Sequence, residues 1–345
     1  MWHAALPVDV TERSLWRHGD FMKLWTGQTV SELGSVVTRT ALPFAAVITL
    51  HATALQVGIL VASASIAVLL VGLFAGALVD RSRRRPLMIA ADAIRAALLL
   101  SIPFAAVAGS LRIEQLYVVA FLEAALGSVF DVAYRTYLPS LLPAHRLLEG
   151  NAKIGMTSAI AEIGGPGIAG GLVQLITAPM AMLVDAVSYV FSAFTIGAIG
   201  APEGSVAHVE GPAGLRRQLA EGFGAVARHP LLRPMALASV TSALFGNFFA
   251  ALYTIYALDE LGLSPFLLGV VISAGGVGSL AASLLVGPIT RRAGFGPAIV
   301  WTRVGAGVLA SLCRWPVDRR SWPQRSCSSH SSSATASTPC RSSTG

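Results

Sequence analysis

The sequence predicts an all-α polytopic membrane protein, and three observations predict it. Charged residues make up only 12% of the 345-residue chain and hydrophobic residues 54%, where a soluble domain carries about 25% charge. The mean hydropathy is +0.66. Apolar runs recur along the chain, each long enough for the roughly 20 helical residues that cross a hydrocarbon core of about 30 Å.

Taken in order, the apolar segments cover 21–50, 55–79, 86–108, 114–138, 151–176 and 180–200. A polar stretch then intervenes, and segments follow at 231–258, 265–289 and 298–312. The predicted organisation is a cytoplasmic N-terminus (1–20), a six-helix bundle (21–200), a linker (201–230), an incomplete second bundle of about three helices (231–312) and a disordered tail (313–345).

The bases set the orientation. Fifteen of them fall at the N-terminus and in the even-numbered joints: Arg13, Arg17, Lys23, Arg81, Arg83, Arg84, Arg85, Arg146, Lys153, Arg216, Arg217, Arg228, Arg233, Arg291 and Arg292. The odd-numbered joints hold Arg112 alone. Basic joints stay on the cytoplasmic side, so the N-terminus is predicted inside the cell and the chain in the inner (plasma) membrane. The net charge of +7 is explained by these joints and calls for no nucleic acid. No short apolar run before a small-residue cleavage site suggests a leader.

Within the linker, Leu215, Leu219, Phe223 and Val226 fall on one helical face, with Arg216, Arg217 and Glu221 elsewhere. That pattern suits a helix lying on the inner membrane surface, or a solvated linker helix. After Leu312 the aliphatic residues give way to Ser, Arg, Pro and Trp, with Cys313, Cys327 and Cys340 the only cysteines. The expectation is a shifted reading frame near Leu312, or else a genuine disordered tail. The cysteine spacing fits neither a zinc motif nor a disulfide framework.

Charges inside the apolar runs are costly, so they normally face the bundle interior and mark a pathway. Glu32 and Arg39 share a face of the first segment, Asp92 and Arg95 of the third, Asp131 and Arg135 of the fourth. Glu123 and Glu162 have no partner on their own helices. Leaving water favours the neutral form of a carboxyl, which makes Glu32, Glu123 and Glu162 candidates to take up and release a proton. No catalytic constellation, metal-ligand spacing or phosphate loop occurs. The sequence therefore suggests no enzyme, no cofactor and no metal.

Three motifs carry a family resemblance. Gly76-Ala-Leu78-Val-Asp80-Arg81-Ser-Arg83-Arg84-Arg85 resembles the signature between the second and third helices of the major facilitator superfamily, with Arg83 in place of a usual Gly. A weaker echo, Gly287-Pro-Ile-Thr-Arg291-Arg292, follows the eighth segment. Gly165-Pro166-Gly-Ile-Ala169-Gly170 looks like a motif of drug:proton antiporters, with Ala169 and Ala161 standing where glycines are usual. Ser31-Glu-Leu-Gly-Ser-Val-Val-Thr-Arg-Thr-Ala-Leu-Pro43 and Phe130-Asp-Val-Ala-Tyr-Arg135 are similar to the branch that holds macrolide and enterobactin exporters.

That resemblance implies a twelve-helix fold, of which nine helices are present here, and export of small amphipathic molecules against proton entry. It implies a cytoplasmic gate of Gly76, Asp80, Arg81, Arg84 and Arg85 with Asp131 and Arg135 in reach; simple topological anchoring is the alternative. Gly76 is expected to let the second and third helices turn closely. Gly165, Pro166 and Gly170 would close the bundle against leak, or simply pack. The substrate would lie between the two bundles, with Phe44, Phe130, Asn247, Phe248 and Tyr253 as candidate wall residues. The competing expectation is a truncated, non-transporting remnant or a membrane scaffold.

Overall fold

Capping chemistry and backbone restriction set the helix ends. The computed structural model describes residues 15–201, 224, 227–230 and 232–293, with side chains described only in part beyond 230 and none beyond 280. The ninth segment, the three cysteines, the tail and nearly all of the predicted surface helix lie outside the described residues. The helices are α1 (Gly19–Phe44), α2 (Ala54–Asp80), α3 (Arg84–Val107), α4 (Ile113–Leu141), α5 (Leu147–Ile176), α6 (Ala178–Gly197), α7 (Leu232–Ile255) and α8 (Pro265–Ala293). Among the described residues every regular element is helical.

α1 begins where His18 Nδ1 accepts the Phe21 N–H at 3.2 Å. Near its far end Pro43 cannot donate to the Arg39 carbonyl, and the helix loosens into a π-helical stretch, Ala45–Thr49. α2 opens on a capping box: Gln56 Oε1 accepts the Thr53 N–H at 2.8 Å, and Thr53 Oγ1 accepts the Gln56 N–H at 3.4 Å. α3 starts inside the basic cluster, at Arg84. Pro86 suits its first turn, where a missing N–H leaves no bond unmade. α5 passes to α6 through Thr177 alone, held at φ +80° and ψ 157°, a region that β-branched residues rarely adopt.

Among the described residues five helices, α2 to α6, contain stretches long and apolar enough to cross a membrane. α1 matches them in length but carries Asp20, Lys23, Glu32 and Arg39. Large apolar side chains point outward along this bundle, among them Leu69 on α2, Phe104 on α3, Leu175 on α5 and Phe194 on α6. In a bilayer that is the favourable face, because lipid tails are as apolar as the side chains.

α1 packs along α6 and α5, α2 along α4, and α3 against α6 and α4. The α1–α6 approach depends on glycine. A Cβ on Gly27 would collide with the Thr195 side chain, and one on Gly34 with Ser188 and Asp185. Contacts divide the chain into one compact unit through Ala282 and a second from Ser283, of which the described part continues α8.

Two apolar cores run through the bundle. One gathers Phe44, Leu60, Leu99, Ile102, Leu116 and Met182. The other gathers Phe21, Leu24, Val79, Met88, Phe130 and Tyr137. On α1, α3, α4 and α6 the switch from one core to the other falls at polar residues: Ser31 to Ser35, Asp92 and Arg95, Glu123, and Ser192. A polar layer therefore crosses the bundle between two greasy ones.

Candidate functional site

The polar layer borders two cavities. The larger, about 520 Å³, is lined by Thr38, Arg39, Pro43 and Phe44 of α1, Leu60 and Ala64 of α2, Leu99 of α3, Glu123 of α4 and Glu162 of α5, with Ala250, Thr254 and Ile272 from α7 and α8. The smaller, about 340 Å³, is lined by Gln28, Ser31, Glu32 and Arg39 of α1, Arg95 of α3, and Glu123, Phe130 and Asp131 of α4. Arg39 and Glu123 border both.

All three carboxylates singled out in the sequence reach these cavities, and two of them gain partners that sequence spacing could not supply. Arg39 of α1 donates to Glu162 of α5 at 2.7 Å and lies 3.9 Å from Glu32. Arg95 of α3 pairs with Glu123 of α4. Glu123 also accepts a hydrogen bond from the Tyr189 hydroxyl at 2.8 Å. That hydroxyl lies 2.9 Å from Ser35 Oγ, and the Arg95 guanidinium stacks 4.0 Å from the centroid of the Tyr189 ring. Counting positions along one helix finds neighbours at three, four or seven residues; these partners come from other helices.

The candidate wall residues separate. Phe44 lines the larger cavity and Phe130 the smaller, where it stacks on Tyr134 with centroids 6.2 Å apart. Tyr253 packs against the first apolar core, while its neighbours Ala250 and Thr254 face the cavity. The side chains of Asn247 and Phe248 lie outside the described residues.

The turn between α2 and α3 holds Asp80 and Arg81 exposed. Asp131 lines the smaller cavity, ten residues before α4 ends, so it sits deeper in the bundle than that turn. Arg135 lies one helical turn beyond it. α2 and α3 do turn closely, with only residues 81–83 between them; among the described residues a Cβ on Gly76 would meet nothing within 4 Å. Arg85 does something different. Its guanidinium donates to the carbonyls of Ile196 and Gly197 in the last turn of α6, the first of which also accepts the Ile199 N–H at 3.2 Å. Lys23 adds a bond to the Ala198 carbonyl at 2.8 Å, and Asp20 accepts the Gly200 N–H at 3.2 Å.

The glycine–proline motif of α5 forms a backbone contact. A Cβ on Gly170 would collide with the Pro265 carbonyl, one on Gly269 with the Pro166 carbonyl, and one on Gly165 with Val36. Gly276 approaches the Ile163 Cα so closely that its Cβ would lie 3.1 Å away. The Gly167 N–H donates to Ser273 Oγ at 3.0 Å. This is the small-residue contact through which membrane helices pack most closely.

Sequence reasoning passed over Asp185, although the signal was simple: one carboxylate in the otherwise apolar run 180–200. It is fully buried, and its Oδ1 accepts the Ser188 hydroxyl at 2.9 Å.

A model of the Major Facilitator Superfamily matches residues 24–318. The chain belongs to that superfamily. It is 28% identical over 276 residues to the multidrug efflux pump Tap of Mycobacterium tuberculosis, covering 76% of this chain. The Tap of Mycolicibacterium fortuitum is 26% identical over 322 residues, covering 87% of this chain and 76% of that protein. The chain spans 65% of the length of the M. tuberculosis relative. Its fold is similar to the crystal structure of a bacterial homologue of the iron transporter ferroportin in an inward-facing state, with a TM-score of 0.58, 18% identity, and coverage of 82% of this chain and 70% of that one. A multi-pass membrane architecture follows from the family and the membrane-length helices together.

Proposed function

We propose that this facilitator exports small amphipathic molecules in exchange for protons across the inner membrane, with its N-terminus in the cytoplasm. The observation that carries the reading is the larger cavity. Its volume falls in the range of about 300–1,000 Å³ usual for small-molecule sites, its walls are mostly apolar, and its charges are Arg39, Glu123 and Glu162. Such a chamber suits a molecule with a greasy body and one polar or charged end. The similarity to proteins named multidrug efflux pumps supports the direction of transport.

In this reading Glu32, Glu123 and Glu162 are the carboxylates that exchange protons with the cavities, and Arg39 and Arg95 hold them when ionised. Phe44 and Phe130 offer flat apolar surfaces to the substrate. The turn bearing Gly76, Asp80, Arg81 and Arg84 acts as a cytoplasmic latch, with Arg85 fastened to α6 and Asp131 and Arg135 on α4. Pro166 and Gly170 keep α5 tight against α8, and Gly165 keeps it tight against α1.

Expression of the full chain in a drug-sensitive bacterial host tests the proposal against a panel of hydrophobic cations and macrolides. Resistance that an uncoupler abolishes is the expected result. Membrane-inserted protein that confers no resistance, or resistance indifferent to the uncoupler, overturns it.

A further inference from the structure

The polar layer holds more buried acid than buried base. Asp92 of α3 and Asp185 of α6 are fully buried, and Glu123 of α4 is nearly so. Arg95 is the cation among them. The other charges nearby are committed or open to the cavities. On α1, Arg39 is shared by Glu32 and by Glu162 of α5. On α4, Asp131 lines the smaller cavity with Arg135 one turn away. The only charged residue of α2, Asp80, lies at its far end.

A single guanidinium cannot answer three carboxylates removed from water. Burial of an unpaired charge is far more costly than burial of a neutral acid. The three acids differ in how an anion would be held. Glu123 accepts from Arg95 and from Tyr189. Asp185 accepts from Ser188. Neither oxygen of Asp92 has a hydrogen-bond partner of ordinary geometry, although Ser192 of α6 faces it. Arg95 Nη1 stands 3.9 Å from Asp92 Oδ1, outside hydrogen-bond reach, while Nη2 of the same group is bonded to Glu123.

We propose that Asp92 is a proton-binding site and that Arg95 toggles between it and Glu123. In one arrangement Asp92 carries the proton and Arg95 pairs with ionised Glu123. In the other, Glu123 carries the proton and Arg95 pairs with ionised Asp92. The exchange takes one proton from Asp92 and places one on Glu123, so the charge of the layer does not change. The guanidinium turns against the face of the Tyr189 ring, which keeps a cation–π contact available in both arrangements. Glu123 opens to both cavities, so it is the member that meets protons and substrate, while Asp92 stores the proton out of their reach.

The presence of a proton on Asp92 stands on the burial and pairing above. Its use in coupling rests on the exporter reading.

The test is infrared difference spectroscopy on the full chain in phosphatidylethanolamine–phosphatidylglycerol vesicles near neutral pH. The wild type is expected to show the C=O stretch of a protonated, buried carboxyl. Asp92→Asn should remove one carboxyl's share of it, and Asp185→Asn measures the share of Asp185, which is also fully buried with no cation beside it. Glu123→Gln should also remove the Asp92 share, because Arg95 is then released to Asp92. Arg95→Met should enlarge it, since neither acid keeps a cation. A band that D92N leaves at full intensity, or that is lost entirely with D185N, overturns the proposal. If D92N does not accumulate in membranes, E123Q and R95M decide, because both leave Asp92 in place; an unchanged band in both overturns it.

Ethidium-driven proton movement in the same vesicles separates the two readings. A wild type that moves ethidium without protons sinks the exporter reading, and the band still judges Asp92. A D92N variant that keeps wild-type proton movement sinks the toggle and leaves the exporter reading standing.

Discussion

Gly170 of α5 lies flat against the Pro265 carbonyl that opens α8. One methyl group at that point would force the helices apart. Overpacking of a tight contact costs about 1–3 kcal/mol, and more when the obstacle is backbone. Gly170→Ala is therefore expected to lower the melting temperature in detergent. Gly164→Ala, six residues earlier where a Cβ meets nothing within 4 Å among the described residues, should leave it unchanged. Equal effects at both positions would remove the packing explanation of the motif.

The two arginine–carboxylate pairs should respond differently to mutation. Arg39 and Glu162 are each 55% exposed, and pairs of that kind contribute about 0–1 kcal/mol. Arg95 is 8% and Glu123 16% exposed, and removal of one partner of a buried pair costs about 3–5 kcal/mol. A double-mutant cycle on thermal stability should give little coupling between R39A and E162Q. R95M should be strongly destabilising alone and partly rescued by adding E123L.

Asp20 ties α1 to the end of α6, and its hold should depend on acid. The hydrogen bond from Lys23, and next the Gly200 N–H, keep its carboxyl below the ordinary carboxylate range. A depressed folded-state value contributes stability above the unfolded pKa of about 4, lost as pH falls through the lower folded value. Protection of the Gly200 amide, taken relative to its intrinsic exchange rate at each pH, should hold above about pH 4 and fall below it. In D20N that protection should be lower throughout and flat across the window.

Thr177 joins α5 to α6 at a dihedral that suits glycine alone. Non-glycine residues in such regions store about 1–3 kcal/mol. Thr177→Gly is expected to raise the melting temperature slightly, its gain reduced by the freedom glycine adds to the unfolded chain. A loss of stability would mean that the Thr177 side chain holds the joint in a way its backbone does not reveal.

The spans were legible because lipid imposes a length and a polarity on every crossing. The segments predicted for α2 to α6 meet the observed helices within about four residues. The carboxylates of the cavities were legible for the same reason, since a charge in an apolar run has few places to go. Their partners were not. Arg95 meets Glu123 from 28 positions away and Arg39 meets Glu162 from 123, and only the packing of α3 on α4 and of α1 on α5 brings them together. Arg85 reads as one more base in a basic cluster; its bonds to Ile196 and Gly197 require α6 to end beside α3. Gly27 and Gly34 read as ordinary small residues until α6 is laid against them.

The end of α6 is moored on two sides, by Arg85 from α3 and by Lys23 and Asp20 from α1. Force arriving at residue 201 is thus shared by three helices instead of bending the tip of one. A pull from the chain beyond would tend to move α1, α3 and α6 as a block, and those are the helices that carry Arg39, Arg95 and Asp185.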